Sequence, residues 1–130
     1  MYSFRNDYSE GAHPKVLQAL ADTNLRQTVG YGMDPCCQAA ADTIRRLCAA
    51  PDAAVHFLVG GTQVNLVPID AFLQSYEAVV AAQTGHVSTH ETGAIEATGH
   101  KVCTVESPDG KLTPALVESV LAGHNGTEHM

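Results

Sequence analysis

The stretch Ala53-Ala54-Val55-His56-Phe57-Leu58-Val59-Gly60-Gly61-Thr62-Gln63-Val64-Asn65-Leu66 decides the reading of the fold. Its first seven residues are a short apolar run ended by two glycines, the pattern of a buried strand. Thr62 can cap the helix that follows, whose inward face holds Leu66, Ile69 and Leu73. Pro68 inside that helix predicts a kink. Downstream the pattern recurs. Glu77 to Ala82 reads as a second strand, Thr89 to Thr98 as a brief helix closed by Gly99, and His100 to Val105 as a third strand. Ser107-Pro108-Asp109-Gly110 is turn chemistry. Thr113-Pro114 opens a last helix running to about Leu121 and stopped by Gly123, and the polar residues from Gly123 to Met130 read as a fraying tail.

Upstream, His13-Pro14 and Asp34-Pro35 each place proline at a first helical position, with Asp34 as an N-cap. Val16, Leu17, Leu20 and Ala21 form a short apolar stripe on the first of these helices. Cys37, Ala40, Ala41, Ile44, Leu47 and Cys48 form a clearer one on the second, with Arg45 and Arg46 on its solvated side. Strands alternating with helices imply an α/β fold in which helices cover both faces of a mostly parallel sheet.

Composition narrows the function classes. The chain has 130 residues, of which 45% are hydrophobic and 16% charged, enough apolar surface for a core. Seven basic against 14 acidic side chains give a net charge of -7, which argues against a nucleic-acid partner. A run of about 18 apolar residues, as a membrane span needs, is absent. The first residues carry no signal-peptide pattern, so a cytoplasmic location is expected. Cys36, Cys37, Cys48 and Cys103 have neither redox nor zinc spacing and read as small buried thiols. Asn125-Gly126-Thr127 matches a glycosylation pattern, by chance in a chain without a signal.

Two constellations carry chemistry. At Gly60-Gly61-Thr62-Gln63 a helix N-terminus offers unpaired backbone N–H groups, glycines allow close approach, and the Thr62 hydroxyl adds a donor, so phosphate is the natural guest. The Walker lysine pattern is absent, and a plain structural turn is the competing reading. The second constellation is Thr84-Gly85-His86-Val87-Ser88-Thr89-His90-Glu91, after a strand, where ligands collect in open parallel sheets. Gly85 suggests that His86 lies in a loop. His86 and His90, four apart, would face the same way on a helix as a metal pair does, but a third ligand is not evident. His13, His56, His100, His124 and His129 read as surface or satisfied core histidines. The serines match no nucleophile elbow, and Cys36 at a helix N-terminus has no adjacent histidine.

Taken together these segments resemble the threonine aldolase and β-eliminating lyase family of pyridoxal-phosphate enzymes. The resemblance is carried by Arg5-Asn6-Asp7-Tyr8-Ser9-Glu10-Gly11-Ala12-His13-Pro14, Gly30-Tyr31-Gly32-Met33-Asp34-Pro35 and Gly60-Gly61-Thr62-Gln63-Val64-Asn65-Leu66. Gly85-His86 with Glu91-Thr92-Gly93 and Asp109-Gly110-Lys111-Leu112-Thr113 complete it, from about residue 4 onward. It implies a three-layer α/β/α arrangement, the incomplete large domain of an aspartate-aminotransferase-type enzyme. It implies that Gly61, Thr62 and Gln63 grip the cofactor phosphate and that His86 stacks on the cofactor ring. Glu91 would position water or a proton relay. Tyr31 and Asp34, with the N-terminal segment, would lie near the active site and subunit boundary of a homo-oligomer. Asn6 stands where many members carry a serine that helps hold the substrate carboxylate.

Pyridoxal chemistry also needs a Schiff-base lysine and an acidic partner for the pyridine nitrogen. In this family both come further downstream. The lysines here are Lys15, Lys101 and Lys111, and none matches the family's catalytic position. The expectation is therefore the N-terminal part of a lyase that cleaves a β-hydroxy-α-amino acid to glycine and an aldehyde. Such a part would be inactive alone, or completed by a complementing C-terminal chain. The alternative is a non-catalytic α/β module that binds a phosphorylated ligand or a partner chain through an unfinished sheet edge.

Overall fold

A computed structural model describes residues 3, 5, 6 and 8–124. The chain divides into two compact units, Met1–Phe57 and Leu58–Met130. Residues 125–130 of the tail, with the glycosylation match and His129, lie outside the described residues.

The first unit holds two helices. α1 (Pro14–Thr23) begins where His13 Nδ1 accepts the Lys15 N–H, so the histidine is a helix cap. α2 (Pro35–Leu47) begins where Asp34 Oδ1 accepts the N–H groups of Cys36 and Cys37, both at 2.9 Å. Proline at N1 removes a donor that the helix could not satisfy, and the aspartate takes two of the rest. The apolar stripes are less covered than their spacing predicts. Ala41 is buried, whereas Val16, Leu17, Leu20, Ile44 and Leu47 are exposed.

The second unit contains α3 (Gly61–Phe72), β1 (Ala78–Ala82), α4 (His86–Thr89), β2 (Lys101–Val105) and α5 (Pro114–Ala122). β1 and β2 pair in parallel, Ala78 opposite Lys101 and Ala82 opposite Val105. A parallel pair needs a crossover rather than a tight turn. Residues 83–100 supply it, and α4 lies within it. Leu66 and Ile69 of α3 and its C-cap Leu73 are half-buried, as the inward face predicts, and the helix runs on through Pro68. Ala81, Ala82 and Ile95 are buried, with Ile95 fully so. Thr113 Oγ1 caps α5 by accepting the Leu116 N–H.

Four expectations need correction. Residues 53–59 are irregular, not a strand, because a strand exists only through a ladder partner and the described sheet has two strands. Arg45, expected on a solvated face, instead donates from Nε to the Ala53 carbonyl at 2.8 Å and pairs with Asp42. The helix expected over Thr89–Thr98 is broken into α4 and a 3-10 turn, Glu96–Thr98. Between them Thr92 (φ 56°) and Gly93 (φ 75°) take the left-handed conformation, which a helix cannot contain. Gly99 does close the segment in the left-handed form, φ 91°. Finally, the thiols are not buried: Cys36 and Cys48 are exposed, Cys37 and Cys103 half-buried, and all four are free.

Candidate active site

The site begins with how the chain leaves β1. Gly85 donates its N–H to the Ala82 carbonyl at 2.7 Å, a tight reversal at the strand's C-terminal end. A Cβ on Gly85 would stand 2.9 Å from that carbonyl oxygen, so this turn requires glycine. The Gly85 carbonyl then accepts from the N–H groups of Ser88 and Thr89, and α4 starts at once. His86 is therefore the first residue of a short helix, not a loop residue. The turn aims its ring back toward the crossover.

There it meets Glu91. His86 Nδ1 lies 2.8 Å from Glu91 Oε1, and the same oxygen accepts a short hydrogen bond from Asn65 Nδ2 of α3. The Glu91 side chain is wholly buried, while that of His86 is 61% exposed. Burial pushes the Glu91 carboxyl upward. The hydrogen bonds from His86 and Asn65, helped by the imidazole's charge, outweigh burial and hold the carboxyl below the usual carboxylate range. An ionised carboxylate only accepts, so the facing Nδ1 carries the proton. Glu91 Oε2 is buried with no hydrogen-bond partner among the described residues.

The loop expected to hold phosphate stands at the N-terminus of α3, one turn before Asn65. Gly60, not Thr62, is the N-cap, and the helix has no side-chain cap. Thr62 sits two residues past the cap position, so its hydroxyl is left for another acceptor. Gln63 reaches back instead, accepting the Val59 N–H at 3.1 Å, which fixes the entry to the helix. A Cβ at Gly60 or Gly61 would meet nothing within 4 Å, so the approach to this helix end is open.

The remaining expected residues fall in the first unit. Asn6 Oδ1 accepts from the Tyr8 N–H and the Ser9 hydroxyl, closing a local turn. Tyr31 is exposed and left-handed, φ 62°. Asp34 is occupied as the α2 cap. In the second unit the structure brings together His86 and Glu91 and adds Asn65, which the sequence singled out only as part of a motif. Its signal was a polar residue among half-buried positions of α3; the partner is 26 residues away. The rings of His86 and His90 are 5.3 Å apart and tilted, and no metal-holding cluster of three or more groups occurs among the described residues. A groove of about 500 Å³ lined by Tyr76, Val80, Lys101 and Leu121 shares no residue with the Glu91 cluster. No helix among the described residues is long and apolar enough to cross a membrane.

Comparison with known proteins points one way. The family described as beta-eliminating lyase matches residues 4–130. The low specificity L-threonine aldolase of Pseudomonas sp. (strain NCIMB 10558) is 36% identical over 119 residues, covering 90% of this chain and 34% of that protein. Its counterpart in Pseudomonas aeruginosa is 34% identical over the same coverage. A solved structure of Leishmania major threonine aldolase matches with a TM-score of 0.93 at 56% identity, covering 100% of this chain and 38% of that one. The chain thus spans about a third of the length of the curated relatives it matches. The two-stranded parallel sheet and its helices are an incomplete α/β domain of this type.

Proposed function

The chain belongs to the beta-eliminating lyase family, and from that premise we propose that it is the N-terminal part of a threonine aldolase-like lyase. The complete enzyme would cleave a β-hydroxy-α-amino acid into glycine and an aldehyde with pyridoxal phosphate. The observation that carries this reading is the likeness to a threonine aldolase across the whole of this chain. A cytoplasmic, homo-oligomeric enzyme is the accompanying proposal.

The residues present fit the phosphate and ring of such a cofactor. The N–H groups of Gly61, Thr62 and Gln63 and the Thr62 hydroxyl are suited to hold the phosphate at the positive end of α3. His86 is fixed at Nδ1 and exposed elsewhere, so it has a ring face to offer for stacking. When bound, the cofactor supplies an electron sink for charge developing at the substrate Cα. Glu91 keeps the proton on His86 Nδ1 and leaves Nε2 free to accept one. Its buried Oε2 is suited to orient a water or a substrate hydroxyl. Asn6, Tyr31 and Asp34 are proposed on the substrate or subunit-boundary side, with Asp34 also capping α2.

Lys15 on α1, Lys101 at the start of β2 and Lys111 after a turn are all exposed. We therefore assign the Schiff-base lysine to the part of the relatives' length that this chain does not span. The test mixes the chain with a separately made segment covering that length, plus pyridoxal phosphate and L-threonine. A yellow, lysine-linked complex releasing glycine is expected from the pair and from neither part alone. Sustained glycine release by this chain alone would overturn the lysine assignment, and a colourless, inactive pair would overturn the function.

A further inference from the structure

Asn65 has no assigned role, yet it makes the longest-range side-chain hydrogen bond described in the second unit. It projects from the second turn of α3, one turn beyond Gly61-Thr62-Gln63. Its amide nitrogen meets Glu91 Oε1, the oxygen that also faces His86 Nδ1. Two donors thus converge on one carboxylate oxygen, and the other oxygen has no partner among the described residues. Glu91 is followed by the left-handed pair Thr92 and Gly93, so its backbone is held in a sharp reversal. A buried carboxylate that lost one donor would be under-solvated and would rotate or take up a proton.

We propose that Asn65 is a positioning residue. It pins Glu91 so that Oε1 receives the His86 Nδ1 proton and Oε2 is turned toward the reacting group. It thereby ties the phosphate-binding end of α3 to the ring of His86. The functional half of this proposal rests on the reading of His86 as the cofactor-stacking residue; the structural half does not. The titratable groups near the pair include His86 of α4, His90 just after it, Glu91 itself and Glu96, whose carboxylate lies by Gly93, while Asn65 arrives from α3 as a neutral donor. A neutral amide suits this place because it stabilises the carboxylate without competing for its proton.

The test uses the complete protein with Asn65→Leu, which removes both polar atoms, and Asn65→Asp, which keeps the shape but removes the donor. Without cofactor, ring-nitrogen NMR of His86 and carboxyl-carbon titration of Glu91 are followed. Both variants should move the Glu91 midpoint upward and release His86 from a fixed Nδ1–H tautomer. With cofactor, kcat should fall about 10- to 100-fold, by analogy with the loss of a hydrogen bond that orients a metal ligand, with its acid limb shifted upward. KM should change little. A Glu91→Gln background should abolish the effect of either substitution. An unchanged Glu91 midpoint and His86 tautomer in Asn65→Asp overturns the proposal, even if Asn65→Leu is too unstable to measure. Failure of the unsubstituted protein to bind pyridoxal phosphate sinks the functional reading while leaving these NMR results to judge the clamp.

Discussion

The two units hold their residues by different means. In Met1–Phe57 the side-chain hydrogen bonds described are local, the longest joining Arg45 to Ala53, eight residues apart. In Leu58–Met130 bonds span 26 residues, from Asn65 to Glu91, and 23, from His100 to the Glu77 carbonyl. Burial follows the same division: Ala41 in the first unit, and Ala81, Ala82, Glu91, Ile95 and His100 in the second. Local bonds shape helices but do not choose among tertiary arrangements. Long-range bonds between buried groups do, because leaving a buried partner unpaired costs about 1–3 kcal/mol. The His86, Glu91 and Asn65 cluster is in the unit that has such bonds.

The sharpest way to break this contrast is Ile95→Ala. Emptying a fully buried site should cost about 2–5 kcal/mol. Amide exchange should accelerate across β1 and β2, with α1 and α2 unaffected; uniform acceleration would show that the two units unfold as one. A smaller effect comes from acid. Glu91 has a depressed carboxyl, so its contribution is fully present above the ordinary glutamate pKa of about 4.3 and is lost as the pH falls through the lowered folded value. Protection in the second unit should therefore weaken below about pH 4.3, and Glu91→Gln should flatten that dependence. The smallest effect is Asp34→Ala. It should fray about one turn, some four residues, at the start of α2, visible as faster exchange at Cys36 and Cys37. Exchange in β1 and β2 should not respond; if it does, the local character of the first unit is wrong.

Much of this architecture was legible in the sequence wherever a covalent or local rule decided it. His13-Pro14, Asp34-Pro35 and Thr113-Pro114 mark the three helix starts because cap and proline act within four residues. Gly99 announced a left-handed stop and Ser107 to Gly110 a turn, closed by the Gly110 N–H on the Ser107 carbonyl. His100 was readable as a satisfied core histidine, and it is buried between Glu77 and Asp70. Residues 53–59 were misread because an apolar run states a preference for burial, whereas a strand also needs a neighbour. Thr62 has a hydroxyl suited to capping, but the helix starts two residues earlier than a Thr62 cap implies. Within the site, His86 and Glu91 could be singled out by residue type and spacing. That Asn65 joins them could not, since no local rule links positions 65 and 91.

The glycines beside the two constellations answer to different pressures over evolutionary time. Gly85 is demanded by the fold itself, because any side chain there collides with the Ala82 carbonyl. Gly60 and Gly61 have open space around them and ordinary backbone angles, so folding alone would admit other residues there. Under the demands of folding alone a lineage would drift first at 60 and 61 and keep glycine at 85. Glycine retained at 60 and 61 would thus record a demand other than folding.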